Sequence, residues 1–334
     1  MEGNSSIQMT SSEVANLWKV YEMETLNVCM IQHFLSTLED PEIISLTEEK
    51  LSLKEDRIKQ LQEIFQKEKF PIPMGMTKDD INKSAPKLFT DTFIIQYLHY
   101  MARIGIETYG LAVSCCPRYD LRDFFIKGLH SFSHIQNKIM DLLLEKGIYV
   151  RSPYVPYPDK VDFVKEQGFI TGWLGERRPL HTVQITHLYL NIQRNAIGQQ
   201  LMSAFSQCAR DKDVKKYMLR GKHLSMKFME IFSSLLKEDD LIPPTFGGIG
   251  ITTSTVPPFS DKLMLTLVAN LNAYGMSLYG LSLSESTRRD LFAQYTRIMA
   301  EVGQFAEDGV NLLIKHGYFE EPPKAPDRKE IAQT

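Results

Sequence analysis

Residues 86–110 read PKLFTDTFIIQYLHYMARIGIETYG, and residues 256–280 read VPPFSDKLMLTLVANLNAYGMSLYG. At a spacing of 170 the two stretches keep Phe89 on Phe259, Asp91 on Asp261, Gly105 on Gly275, Tyr109 on Tyr279 and Gly110 on Gly280. The same spacing runs on without a gap through Leu121 on Leu291 and Leu142 on Leu312 to Gly147 on Gly317. Upstream it puts Lys67, Glu68 and Pro73 on Lys237, Glu238 and Pro243. One offset held over so long a span marks a duplication. The period is too long for a solenoid, so each copy is expected to be a domain with its own core.

Working outward, a helix is expected to begin near Ser11, where SSEV supplies a capping serine and an acid in the first turn. Leu17, Trp18, Tyr21, Leu26, Met30 and Phe34 then recur at helical spacing. Glu39-Asp40-Pro41 turns the chain into a highly charged second helix ending near Lys69. The next segment, FPIPMGMTKDDINKSAP, is too long for an ordinary helix hairpin. Extended, it reaches more than about 50 Å, enough to travel a helix of about 42 Å. Helix three therefore starts at the end where helix two started, and helix four follows after a short turn at Cys116-Pro117. A short turn, a long crossover and a short turn define an up-down-down-up, ferritin-like four-helix bundle.

The second copy repeats the plan, with helices near 181–209, 211–239, 258–284 and 286–316 and PPTFGGIGITTSTVPP as its crossover. The fold class expected is all-α, two tandem ferritin-like four-helix bundles. The first bundle spans 1–150 and a Pro/Tyr-rich connection spans 151–180. The second bundle spans 181–320, and a flexible tail covers 321–334. Tyr154, Tyr157, Phe163, Phe169 and Trp173 in the connection are expected to lie buried on the bundles.

A net charge of −3 and a pI near 6.3, with Lys and Arg mixed among Asp and Glu, argue against a nucleic-acid binder. The start, MEGNSSIQMTSSEV, has neither a basic run nor an apolar one, so no secretory signal is expected and the location is expected to be cytoplasmic or spore-associated. Four cysteines, Cys29, Cys115, Cys116 and Cys208, are too few for a disulfide framework in so long a chain and read as reduced thiols. Residues 263–284 carry no charge over a length sufficient to span a bilayer. Asn270, Asn272, Tyr274 and Tyr279 within them, and His99, Arg103 and Glu107 in the other copy, favour a buried helix.

The first crossover, with its Pro and Gly, the Asp80-Ile81-Asn82 step, then Ala85-Pro86, Leu88-Phe89 and Asp91, resembles a ferritin-like family of unknown function. That family comes from spore-forming bacilli, often as tandem duplicates, and some members are labelled spore coat proteins. Only the first copy carries the full pattern; the second keeps Pro257, Phe259 and Asp261 and has Gly250-Ile251-Thr252 at Asp-Ile-Asn. The resemblance implies a fold and a lineage, not an activity.

A di-iron bundle needs Glu from two helices and Glu-x-x-His from the other two. No Glu-x-x-His occurs. The first copy offers Glu22 and Glu24 on helix one, Asp56 on helix two, His99 and Glu107 on helix three, and His130 with His134, four apart on one face, on helix four. Shifted by 170, these fall on Arg194 for Glu24, Met226 for Asp56, and Ala269, Ser277, Ala300 and Gln304 for the rest, so the second copy holds no ligand set. Gly105 and Gly110, with Gly275 and Gly280, cost about 1 kcal/mol each in a helix and are expected to admit a close neighbour where the two bundles meet, or a bound molecule. Asp91, Asp261, Asp120 and Asp290 read as first-turn acids. GGIG at 247–250 lacks the Gly-Lys-Ser/Thr ending of a phosphate loop.

The leading expectation is a non-enzymatic structural or interaction protein without a cofactor, an internal pseudo-dimer with protein partners or self-assembly and possible homo-oligomers. The alternatives are a metal-binding or oxidase bundle holding a divalent metal at Glu24, His99, Glu107, His130 or His134, and a carrier of an apolar ligand between helices.

Overall fold

The computed structural model describes residues 7–170, 177–245, 248 and 250–332. Among these, eight long helices form the fold: α1 Ser11–Thr37, α2 Pro41–Lys67, α3 Asp91–Cys115, α4 Tyr119–Glu145, α5 Thr182–Cys208, α6 Lys212–Lys237, α7 Asp261–Ser284 and α8 Arg289–Lys315. A short α9 covers Arg328–Ile331. No strand forms among the described residues, and no described helix is long and apolar enough to cross a membrane.

Capping residues set the helix starts. Thr10 and Glu13 close a capping box at α1, and His181 with Gln184 does the same at α5. Asp40 and Asp211 cap α2 and α6; Thr90 and Ser260 cap α3 and α7. Asp91 does more than sit in a first turn: its Oδ2 accepts from the Glu39 and Asp40 amides at 3.0 and 2.7 Å. Asp261 accepts from the Arg210 and Asp211 amides at 3.0 and 2.8 Å. Each carboxylate ties the α1–α2 or α5–α6 turn to the start of the third helix of its bundle.

Side-chain pairings fix the directions. Tyr21 meets Phe65 across α1 and α2, Phe34 meets Tyr97 across α1 and α3, and Tyr109 meets Phe125 across α3 and α4. The Lys146 ammonium at the end of α4 reaches Asp40 and Glu42 at the start of α2. Each of these pairs runs antiparallel, which gives the order up, down, down, up.

The two long crossovers pair with each other. Asn82 N–H donates to Pro258 O and Thr252 N–H to Leu88 O; Ser260 N–H donates to Asp80 O and Thr90 N–H to Gly250 O. Ile81 bridges Phe259 as Phe89 bridges Ile251. Each bond has its mate at the spacing of 170, so a pseudo-twofold axis passes between the crossovers. Phe89, Phe93, Phe205 and Phe259 pack around it in one apolar cluster drawing on both copies. The expected separate cores therefore hold only for the two outer clusters, one around Leu17, Phe65 and Phe125 and one around Leu188, Phe232 and Tyr295.

The structure also shifts the internal register. Asp91 corresponds to Asp261 and Tyr119 to Arg289 at 170, but Ser11 corresponds to Thr182 and the cap Asp40 to Asp211, one position further. The left-handed residues after the second helix, Lys69 and Asp240, keep that extra position. The coincidences of Lys67, Glu68 and Pro73 had hidden a one-residue slip that the crossovers absorb.

Other expectations change with the packing. Tyr154, Tyr157 and Phe163 are 83%, 96% and 81% exposed rather than buried. The segment is extended, so alternate residues point oppositely: Pro153 and Val155 face inward and Tyr154 outward. Phe169 is half-buried under the Arg178 guanidinium, and Trp173 lies outside the described residues, as do Gly247 and Ile249 of GGIG. Gly105 makes room for the Phe132 ring within its own bundle, and Gly275 for the Arg194 guanidinium; Gly110 meets no neighbour. These glycines admit side chains rather than the other bundle. Glu320, the last residue before the tail, is anchored: its carboxylate accepts from the Met74 and Gly75 amides at 2.8 and 2.7 Å.

Candidate functional site

The buried stripe of α2 runs Ile43, Leu46, Thr47, Lys50, Lys54, Arg57, Leu61 and Phe65. Its spacing of three and four is that of a core-facing helix. Three of its central members are cations, and all three are buried. Facing them on α1 is Glu24, 2% exposed. Lys54 Nζ lies 2.5 Å from Glu24 Oε2, and Arg57 Nη1 3.8 Å from Oε1. The Tyr109 hydroxyl of α3 donates to Glu24 Oε1 at 3.0 Å, and Arg57 Nη2 donates to the Gly128 carbonyl of α4 at 3.2 Å. Arg57 also covers the Tyr109 and Phe132 rings at 5.0 and 4.7 Å.

Three helices thus meet at one carboxylate, and α4 holds Arg57 beside it. Burial opposes its charge, but Lys54 and Arg57 outweigh it and hold Glu24 below the usual carboxylate range. Lys50, whose Nζ donates to the Leu98 carbonyl at 3.1 Å, is pushed well below the usual lysine value by burial, with Lys54 adding repulsion. The arrangement is a buried cluster of one carboxylate and three basic groups, with its donors already aimed at protein oxygens.

The sequence candidates do not converge. His99 is buried on α3, its Nδ1 3.0 Å from Gln136 Nε2, and burial with Arg103 nearby lowers its pKa to about 4. Glu107, His130 and His134 are exposed; His134 Nε2 lies 3.5 Å from Glu49. Asp56 is exposed beside Lys59. Glu22 faces away, toward Glu320. Among the described residues no group of three or more His, Cys, Asp or Glu could hold a metal ion. The di-iron centre that a ferritin-like bundle implies does not fit this donor set, because Glu24 is already held by Lys54, Arg57 and Tyr109. Cys29, Cys116 and Cys208 are buried with their thiols pushed up to about 11, 11 and 12, chiefly by burial, and Cys115 alone is exposed.

The cations of α2 were missed because a charged helix reads as a solvent-facing one. Their spacing was the available signal: Lys50, Lys54 and Arg57 continue the stripe of Ile43 and Leu61.

The second bundle answers differently. With the register set by its helix starts, Glu24 corresponds to Asn195, not to Arg194. Asn195 Nδ2 donates to the Tyr279 hydroxyl at 2.9 Å, where Tyr109 contacts Glu24. Ser225 and Phe228 stand where Lys54 and Arg57 stand, so the charged cluster becomes a neutral one. Arg194 falls at the position of Met23.

Comparisons with known proteins agree with the duplication. Residues 3–161 and 168–331 each match the family described as protein of unknown function, DUF3231, and the chain belongs to that family. No curated protein matches. A solved structure described as a "putative spore coat protein" from Bacillus halodurans C-125 is 19% identical, covering 48% of this chain and 100% of its own at a TM-score of 0.40. At those values the likeness carries no argument about function.

Proposed function

We propose that the chain is a non-enzymatic structural or interaction protein, two ferritin-like bundles joined as an internal pseudo-dimer and associated with the spore. The observation that carries the interaction role is the outward-facing strip of the connection, where Tyr154, Tyr157, Val161, Phe163 and Val164 are all exposed. Aromatic side chains left in water on an extended segment suit contact with another protein. The cluster around Glu24 supports the non-metal reading, since both oxygens of its carboxylate already face Lys54, Arg57 and Tyr109. Spore association rests on the sequence resemblance alone.

Sedimentation of the full chain and of a Tyr154→Ser, Tyr157→Ser, Phe163→Ser variant tests the contact role. Self-association lost in the variant is expected; a parent that stays monomeric and binds no spore-surface protein overturns it. Elemental analysis of untagged protein against His99→Ala, His134→Ala is the second arm. One or two metals per chain, lost in that variant, would overturn the non-metal reading. For location, a fluorescent fusion followed through sporulation should concentrate at the spore, and a signal that stays diffuse would remove that part of the proposal.

A further inference from the structure

The interior of the second bundle contains a cavity of about 70 Å³, lined by Tyr100, Arg194, Asn195, Ser225, Gly275 and Phe305 among others. It occupies the place that the smaller cavity of about 20 Å³ beside Glu24 and Lys54 has in the first bundle. The difference follows from three pairs of residues: Ser225 stands for Lys54, Val302 for Phe132, and Gly198 for Asn27. Each replacement is smaller, and the walls retreat.

Into this space the second bundle places a cation. Arg194 is 8% exposed. Its Nη2 donates to Asn191 Oδ1 at 3.0 Å, and its guanidinium lies 3.9 Å over the Tyr279 ring. Among the described residues it makes no ion pair, and no Asp or Glu lines the cavity. Its Nη1, 2.5 Å from where a Cβ on Gly275 would stand, is buried with no hydrogen-bond partner among the described residues. The hydroxyl of Tyr100, contributed by α3 of the other bundle and 3% exposed, has none either.

Two unused donors, one carrying a full charge, therefore lie in the wall of one acid-free cavity. A buried guanidinium without a carboxylate is strongly disfavoured, and the Tyr279 face offsets that only in part. Leu201, Met202, Phe228 and Val302 make the remaining wall apolar. We propose that this cavity binds a small organic monoanion, a carboxylate on a short apolar stem, with Arg194 Nη1 and the Tyr100 hydroxyl holding the head group and the apolar wall taking the stem. A planar carboxylate suits a guanidinium, and the stem replaces contact with water by contact with methyl and phenyl groups.

The test is thermal unfolding of the full chain in a zwitterionic buffer free of halide and carboxylate, titrated with sodium acetate, butyrate or hexanoate and, at matched ionic strength, with sodium chloride. A saturable rise in Tm with butyrate or hexanoate, larger than with chloride, is expected. Tyr100→Phe, which removes only an oxygen without a protein partner and so should fold as the parent does, should weaken the apparent affinity about tenfold. Arg194→Met should abolish the rise, and Ser225→Leu, which fills the cavity, should do so with the cation kept. An equal response to chloride, a response that survives Arg194→Met, or no response in the parent would each overturn the proposal.

Discussion

Glu24 and His33 lie nine positions apart on α1 and bury opposite problems. Glu24 is a paired charge, and removing one partner strands the others: Glu24→Gln should destabilise the chain by about 3–5 kcal/mol in urea unfolding, because Lys54 and Arg57 are left buried. The second bundle shows the neutral solution, so Glu24→Asn, Lys54→Ser, Arg57→Phe together should be markedly less destabilised than Glu24→Gln alone, a sign of coupling. His33 is an unpaired polar group, fully buried, with neither ring nitrogen bonded and its ring 5.2 Å from Phe259 of the second copy. Burial lowers its pKa from 6.5 to about 4. The unfolded chain then binds more protons between those values, so this residue's stability contribution is present above about pH 6.5 and is lost as pH falls toward 4. His33→Leu should remove a loss of about 2 kcal/mol at pH 5, read from melting curves across pH. Glu22 has the opposite sign. Burial and the nearby Glu320 carboxylate raise its pKa from 4.5 to about 7, so the native state holds a proton that the unfolded chain releases. Stability falls as pH rises through that window, and Glu22→Gln should flatten the fall.

At the scale of elements, the crossovers carry the join between copies. Their four paired amides, Asn82, Thr90, Thr252 and Ser260, should exchange hydrogen slowly and as a set, while amides of residues 154–166 exchange fast. Replacing Asn82 and Thr252 by Pro removes two of the four bonds and should abolish that protection; protection that survives would mean that the pairing does not hold the copies together. Helix number, order and the long crossovers were legible from the sequence, because the 3.6 periodicity and the Pro/Gly segments are local signals. The pairing of the crossovers was not, since Ile81 and Phe259 announce nothing by periodicity and meet only when both bundles are in place. The one-residue slip was also hidden: offset matches such as Pro73 on Pro243 are as good as Pro73 on Pro244, and only the caps Asp40 and Asp211 decide. Of the candidate site, Glu24 is legible and its partners are not. A carboxylate on an inward face is visible in sequence, but whether a metal or a lysine from the next helix meets it depends on how α2 is rotated about its axis.

The whole molecule is less divisible than its repeat suggests. Because Phe89 and Phe93 pack against Phe205 and Phe259, a fragment of residues 1–150 exposes that surface. The pseudo-twofold geometry lets Ile81 of one copy pair with Phe89 of another, so the fragment should run as a dimer in sedimentation and return to a one-to-one complex when residues 151–334 are added. A stable, cooperative monomer of 1–150 would contradict the shared core. The Glu320 contact adds a further tie, joining the end of the second bundle to the first crossover.

The paired crossovers also bear on synthesis. At about 5–20 residues per second, the 170 positions separating Ile81 from Ile251 take on the order of ten to thirty seconds to emerge, during which the first crossover has no partner on its own chain. Neighbouring ribosomes on one message offer that edge another chain's first crossover, so nascent chains that cross-pair early would emerge as swapped dimers, and the yield of chains paired within themselves should depend on how far apart the ribosomes travel.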